Sequence, residues 1–452
     1  MKKKFYYGLL LSMMTFALSI SMYAQNGPRG ILKAGAAKID FTPAESELPQ
    51  NSFGILDHVY SRAIVVSNGT TKAALVTADV GGVHDPIYLK VIERAEKELG
   101  IPAKNIIITA THTHSSGRIP SDVLGEKIFA SIKEADASLQ PARMGYGAGE
   151  SYINVNRNMF NHDRLTWWEG PNYDGISDKT VAVIYFETLE GDPIAVYYNY
   201  AMHAVVAGNL DMVSGCVPGA SSRYIEESMH DQIVAVWSTG ACGDQNPIFF
   251  QQTFDLRDIR IADYAARGED ISNKMPPGGT GMDRTNPKVA RLMEEQKQML
   301  LTMGQMLGEE VKHVIRNMRR FETNVAINCG NKTVSVPGRR LLNREGRAGY
   351  EGRYEDTDPV QIRLCMVMID DIPVTSVNGE VFNAIAIRLK KESPFARTMM
   401  ATVSNGGGAG YIPNDEAFGF QTFEVIGARY KPGYAESAIV NGLLDLIREA
   451  TH

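Results

Sequence analysis

Cysteine is scarce in this chain: 4 residues in 452, at Cys216, Cys242, Cys329 and Cys365, with no CxxC pair. That spacing argues against a disulfide framework, a thiolate zinc site or a thiol redox motif. Beyond the N-terminal segment, no stretch approaches the roughly 20 uninterrupted apolar residues that a spanning helix needs. Neither sign of charge prevails. Lys plus Arg number 46 and Asp plus Glu 52, a net of −6, which leaves no electrostatic footprint for nucleic acid or an anionic membrane surface. Internal repeats and low-complexity linkers are missing too, so residues 25–452 read as one large domain.

What is present begins at the N-terminus. Lys2, Lys3 and Lys4 precede an apolar run from Phe5 to about Ala24, ending Ser21-Met22-Tyr23-Ala24. This is the build of a signal peptide over residues 1–24, and it predicts an exported protein, periplasmic or secreted. No cysteine near the end of the run suggests a lipid anchor. In such a compartment the four cysteines can pair or stay buried as thiols, and the sequence leaves both open.

Short β-branched runs alternate with amphipathic helices. Strands are predicted at 63–66 and 73–77 around a turn at 67–69, a helix from Pro86 to Leu99 capped by Gly100, and a strand at 106–109. Strand, helix and strand in close succession form a βαβ unit of an α/β core. Further strands are expected near 181–186, 194–200, 233–237, 325–328, 364–368 and 374–377, with helices at 287–318 and 435–450. Met293, Met299, Met303 and Met306 in the first of these helices read as core filling. Residues 251–286 read as a polar surface excursion. The arginine-rich stretch 338–357 reads as a solvated loop or a cover over an acidic ligand. The expectation is an α/β fold of mixed β-sheets packed together and flanked by helices, without a C-terminal β-sandwich.

Candidate chemistry gathers after strands. His112 and His114, in Thr111-His112-Thr113-His114-Ser115, follow the strand at 106–109; in extended backbone, residues i and i+2 share a side. Carboxyl ends of strands are where open α/β sheets hold ligands, and neutral imidazole suits zinc. His203 ends another apolar run, Glu380 follows the turn Asn378-Gly379, and Tyr411 follows the glycine-rich Gly406-Gly407-Gly408-Ala409-Gly410. That glycine run lacks a following Lys-Ser/Thr and is no phosphate loop. Asp79 and Asp244 read as turn aspartates or as partners of a metal-bound histidine. Trp167 and Trp168 read as an aromatic corner or as flat faces for a sugar or acyl chain.

These residues, in this order, resemble the catalytic domain of the neutral (non-lysosomal) ceramidases, zinc-dependent amide hydrolases. The likeness starts at Ala34-Gly35-Ala36-Ala37-Lys38-Ile39-Asp40-Phe41-Thr42-Pro43. It continues through Tyr60-Ser61-Arg62-Ala63, His112-Thr113-His114-Ser115, Asn156-Arg157, Gly243-Asp244, Gly379-Glu380 and Tyr411. The resemblance implies a Zn2+ held by His112, His203, Glu380 and Tyr411, with His114 and Arg157 as catalytic groups beside a lipid substrate. It implies cleavage of an N-acyl bond by metal-activated water.

The chain departs from that pattern in places. Asn246 in Gly243-Asp244-Gln245-Asn246-Pro247 stands where the family has an active-site serine, and Phe423 where it has a catalytic tyrosine. The stretch after the histidine pair reads Ser116-Gly117-Arg118-Ile119-Pro120. Arg118 and Asn246 are therefore candidate substrate-binding residues, and arginine forks suit carboxylates. Three readings stay open: a zinc hydrolase of N-acyl compounds, a lyase or hydrolase of a uronic-acid-containing oligosaccharide, and a binding protein without catalysis.

Overall fold

The computed structural model of the chain describes residues 27–50, 52–274 and 282–451. The signal-peptide segment and the prolines at 276 and 277 lie outside the described residues. The largest sheet runs in the order Val234–Thr239, Pro193–Tyr200, Thr180–Thr188, Gln140–Glu150, Lys33–Asp40, Tyr60–Ser67, Lys72–Ala78, Ile106–Ala110, with Phe321–Glu322 paired to the side. A second sheet comprises Ile327–Leu341, Tyr354–Ile369, Ile372–Val377 and Met399–Ala401, and a small one Gln245–Pro247, Asn154–Asn161 and Thr166–Asn172.

Alternation along the strands sets the layers, because successive side chains point to opposite faces. In Tyr60–Ser67, Ile64 and Val66 join Leu75 and Ile107 against Val367, Ile369, Val374 and Met399 of the second sheet. Ala63 and Val65 point the other way, onto Val91 and Ile128 of helices Asp85–Leu99 and Ser121–Ala137. The far half of the large sheet is covered by helices Cys216–Ser228 and Pro287–Asn317. Helices Asn383–Glu392 and Ala435–Glu449 cover the second sheet. The result is two mixed sheets face to face with helices outside both, the expected α/β class. Among the described residues, no helix is long and apolar enough to cross a membrane.

The βαβ unit forms as predicted: Lys72–Ala78 and Ile106–Ala110 pair in parallel, and Gly100 ends the intervening helix at φ 67°. Other expectations are corrected. Residues 251–265 are not a surface excursion but the helix Gln251–Ala265, whose Leu256 and Arg260 are buried. Of 338–357 only the ends are strand, where Ile327–Leu341 pairs with Tyr354–Ile369, and residues 342–353 form the expected loop between them. Met306 is 46% exposed and fills no core, unlike Met293 and Met303. The four cysteines are all free thiols, three of them buried.

Candidate metal centre

His112, His203 and Glu380 come from three separate strand ends. His112 follows Ile106–Ala110, His203 follows Pro193–Tyr200, and Glu380 follows Ile372–Val377. The donor atoms of the three all lie within 4.8 Å of one another. His112 Nε2 is 3.2 Å and His203 Nε2 3.0 Å from Glu380 Oε2.

The other ring nitrogens fix what these atoms are. His112 Nδ1 lies 2.6 Å from the Gly81 carbonyl and His203 Nδ1 2.6 Å from the Cys242 carbonyl. A carbonyl oxygen only accepts, so each Nδ1 carries a hydrogen, and it is the Nε2 atom of each ring that faces Glu380. Burial pushes His203 down to about 3, reinforced by Arg157. Three potential ligand atoms thus converge, with each Nδ1 hydrogen already committed to a carbonyl. A cation is what such a donor set fits.

Local backbone builds this convergence. His112 has φ 63°, a left-handed conformation uncommon outside glycine, for which histidine is among the more tolerant residues. The two histidines therefore do not share a side through strand pleating, as the i, i+2 spacing suggested. The strand ends at Ala110 and the bend at His112 sets its ring 5.0 Å from that of His114, edge to face. Gly243 passes under the third donor: a Cβ there would lie 2.4 Å from the Glu380 carbonyl. Gly410, at φ 69°, turns the chain so that Tyr411 pairs with Glu380 in a short parallel bridge. The Tyr411 ring stacks on His203 at 6.3 Å, and burial pushes its phenol well above the usual tyrosine value against the pull of Arg157.

Beside the donors lies a cavity of about 300 Å³, lined by His114, Arg157, Glu169, His203, Tyr411 and Phe423 together with part of helix Gln251–Ala265. His114 is open to this cavity at its edge. The protein packed around it, with His112, lowers its pKa to about 4, so it is neutral at pH 7. Arg157 sits at the register irregularity between Asn156 and Asn158, the kind of bulge that re-aims a side chain. Its Nε donates to Glu424 at 2.7 Å, Nη2 to the Gly243 carbonyl at 2.7 Å and Nη1 to Asn246 Oδ1 at 3.3 Å.

Asn246 is buried behind the cavity wall, where it accepts from Arg157 and donates to Glu169 at 3.1 Å. Phe423 lines the cavity, edge on to Tyr411 at 5.5 Å. Arg118 is exposed and is not among the lining residues; Gly117, at φ 75°, turns the loop ahead of it. Asp79 supports no ligand histidine and instead accepts from Arg62 at 3.0 Å and from the Tyr60 amide at 2.8 Å. Asp244 ties the site's elements together, accepting from the Asn383 amide at 2.8 Å and from Asn156 Nδ2 at 2.9 Å. Trp167 stacks on Phe420 at 4.2 Å, and Arg257 lies 4.8 Å over the Trp168 ring.

Sequence reasoning missed Glu169, Arg257 and Glu424. Arg347 was visible only as one of several arginines. In the structure it ion-pairs with Glu169 and lies 4.4 Å from the centre of the Phe423 ring, as a cover over the cavity would.

No protein-family model matches the chain. It is 28% identical over 306 residues to the neutral ceramidase of Pseudomonas aeruginosa, a match covering 59% of this chain and 45% of that protein. Neutral ceramidase B of Dictyostelium discoideum is 27% identical over 227 residues, covering 43% of this chain and 32% of that one. The match thus spans less than half the length of these curated relatives. Among solved structures, the neutral ceramidase from Pseudomonas aeruginosa superposes with a TM-score of 0.67 at 18% identity, over 93% of this chain and 75% of that chain. A ceramidase complexed with C2 gives 0.68 at 16%, with the same coverage. At those identities the superpositions speak to fold, and the fold is the same. The chain is thus similar in sequence to the neutral ceramidases over part of its length and shares their fold.

Proposed function

We propose that this chain is an exported, zinc-dependent hydrolase that cleaves an amide bond of an N-acyl compound. The observation that carries this reading is the set of three converging ligand atoms, His112 Nε2, His203 Nε2 and Glu380 Oε2, at the edge of a cavity that also holds His114 and Arg157. Mixed nitrogen and oxygen donors favour zinc over magnesium, which prefers oxygen. Tyr411, stacked on His203 and paired in register with Glu380, is the fourth donor. When bound, zinc supplies Lewis acidity toward a carbonyl and lowers the pKa of water toward about 7.

The chain's own residues do the rest. His114 enters the reaction neutral, so it can take a proton as the nucleophile forms and return it to the leaving amine nitrogen. Arg157 acts through its charge at close range and not through a free fork, since Nε and Nη2 already donate to Glu424 and Gly243. A fixed cation of this kind favours negative charge developing on the carbonyl oxygen. Phe423 and Tyr411 shield the site from water on the cavity side. The relatives' names point to ceramide. Asn246 and Phe423, in place of hydroxyl-bearing residues, support a different N-acyl substrate in this chain.

The test is metal content and amine release on the purified protein. The expected result is near-stoichiometric zinc, turnover of N-acyl compounds, and loss of both in His203→Ala while the variant stays folded. Undiminished turnover by protein stripped of metal would sink the reading.

A further inference from the structure

Among the lining residues of the cavity, Arg157, Arg257, Arg260 and Arg347 face a single carboxylate, Glu169. That excess is unusual in so confined a space, because like charges repel and burial removes the water that would screen them. Arg157 is satisfied by Glu424, Asn246 and Gly243, and Arg347 by Glu169. Two donors are left over: Nη2 of Arg257 and Nε of Arg347 are buried without an acceptor. Buried donors of native proteins are nearly always paired, so each orphan calls for an explanation. Burial lowers the pKa of Arg257, and Arg347 lowers it further, so the pair is held together against its own repulsion. Glu169 remains ionised under the influence of Arg347 and Arg157, although burial opposes it; its charge is already committed.

We infer that Arg257 and Arg347 form a subsite for an anionic oxygen group of the substrate, a carboxylate or a sulfonate. The inference rests on the hydrolase reading for the scissile bond and narrows its substrate to acidic N-acyl compounds. The neighbouring surfaces agree. Arg257 lies over the Trp168 ring and Arg347 over Phe423, and both rings hold a guanidinium plane in place while leaving its edge for hydrogen bonds. Phe250, Phe254 and Leu256 line the same cavity and suit an acyl segment. At about 300 Å³ the space is at the small end for ligand pockets, matching a short acidic amide better than a two-chain lipid.

The test compares N-hexanoylglycine, N-hexanoyltaurine and the neutral methyl ester of N-hexanoylglycine, with D-glucuronate as a saccharide arm. Binding is measured by calorimetry on the full-length chain, as purified and after chelation, so the readout does not depend on turnover. Both acids are expected to bind more tightly than the ester. Arg257→Gln should weaken the acids by roughly tenfold or more and leave the ester unchanged, as expected for a lost charged hydrogen bond. Carboxylate over sulfonate preference identifies the group. Glucuronate binding that is lost in Arg257→Gln, without binding of either N-acyl acid, keeps the anion subsite and overturns its N-acyl substrate. Equal binding of acids and ester, or acid binding untouched in a folded Arg257→Gln, overturns the subsite itself. A chain that binds the acids but neither metal nor turnover loses the hydrolase reading and keeps the subsite. Thermal melting of each variant certifies folding, and Arg257→Lys, which keeps the charge but not the fork, should fall between the two.

Discussion

Arg62 and Arg157 are both buried, at 1% and 3% side-chain exposure, and both come from segments that carry the ceramidase resemblance. Arg62 is enclosed. It donates to Glu226 at 2.9 Å and 3.3 Å and to Asp79 at 3.0 Å, and its charge lies 4.7 Å from the Tyr60 ring centre. Glu226 in turn accepts from Lys38 and from the Ala235 amide, both at 3.1 Å. This closed cluster links strands Lys33–Asp40 and Tyr60–Ser67 to helix Cys216–Ser228 and strand Val234–Thr239. Arg157 faces a cavity. Asp79 Oδ1 and Glu424 Oε2 are alike in being buried without a donor, but Arg157 itself lines the cavity and Arg62 does not. The lesson is that burial and ion pairing alone do not separate structure from chemistry; what separates them is whether the network closes on itself or ends at a space.

Breaking the closed cluster should have the largest effect on folding. Arg62→Met strands Glu226 and Asp79 as buried acids, and removing one partner of such a network costs about 3–5 kcal/mol. Chemical denaturation should show that loss, with metal content per folded molecule unchanged. Breaking the open network should act on turnover. Arg157→Met is expected to lower kcat by about 10²–10³, the range for removing one group that favours an oxyanion. Because Glu424 is then left unpaired, the single variant also loses stability. Pairing it with Glu424→Leu should restore the melting temperature and leave kcat low. If the double variant regains turnover, Arg157 is structural after all and the contrast with Arg62 dissolves.

How much of this was legible in the sequence depends on distance along the chain. Ile106–Ala110 and Lys72–Ala78 were visible because unbroken β-branched and apolar runs mark strands buried on both faces. Lys33–Asp40 was not, since its alanines and glycine carry little strand preference. Helix Gln251–Ala265 was misread because the face it turns to the cavity interleaves Thr253, Arg257 and Arg260 with Phe254 and Leu256, which breaks the apolar stripe. The candidate metal ligands could be named from motifs that resemble a family. Glu424 and Glu169 could not, because their roles exist only through partners 267 and 178 positions away. Position 246 was noticed as a replacement, yet nothing local reveals that its amide joins Arg157 to Glu169.

The two regions should also separate by the sign of their pH dependence, and this is the smallest effect. In the Arg62 cluster, burial, with a lesser contribution from Asp57, raises Asp79 from 3.8 to about 6 against the pull of Arg62. A group whose pKa rises on folding contributes stability that is full below its unfolded value and is lost as pH rises through the folded one. Asp79 therefore tilts stability downward between pH 3.8 and about 6. At the candidate metal centre, burial lowers His203 from 6.5 to about 3. A group whose pKa falls on folding contributes stability present above the unfolded value and lost as pH drops, so His203 tilts stability upward between about 3 and 6.5. Over the shared window the slopes oppose, each of at most about 1.4 kcal/mol per pH unit. In metal-free protein, Asp79→Asn should make acid unfolding steeper than in the parent chain, and His203→Ala should make it shallower. Denaturant midpoints across that window measure the difference. Identical slopes in Asp79→Asn and the parent would mean that the closed cluster keeps both its carboxylates charged, leaving Arg62 in an ion pair that acid does not loosen until the fold itself gives way.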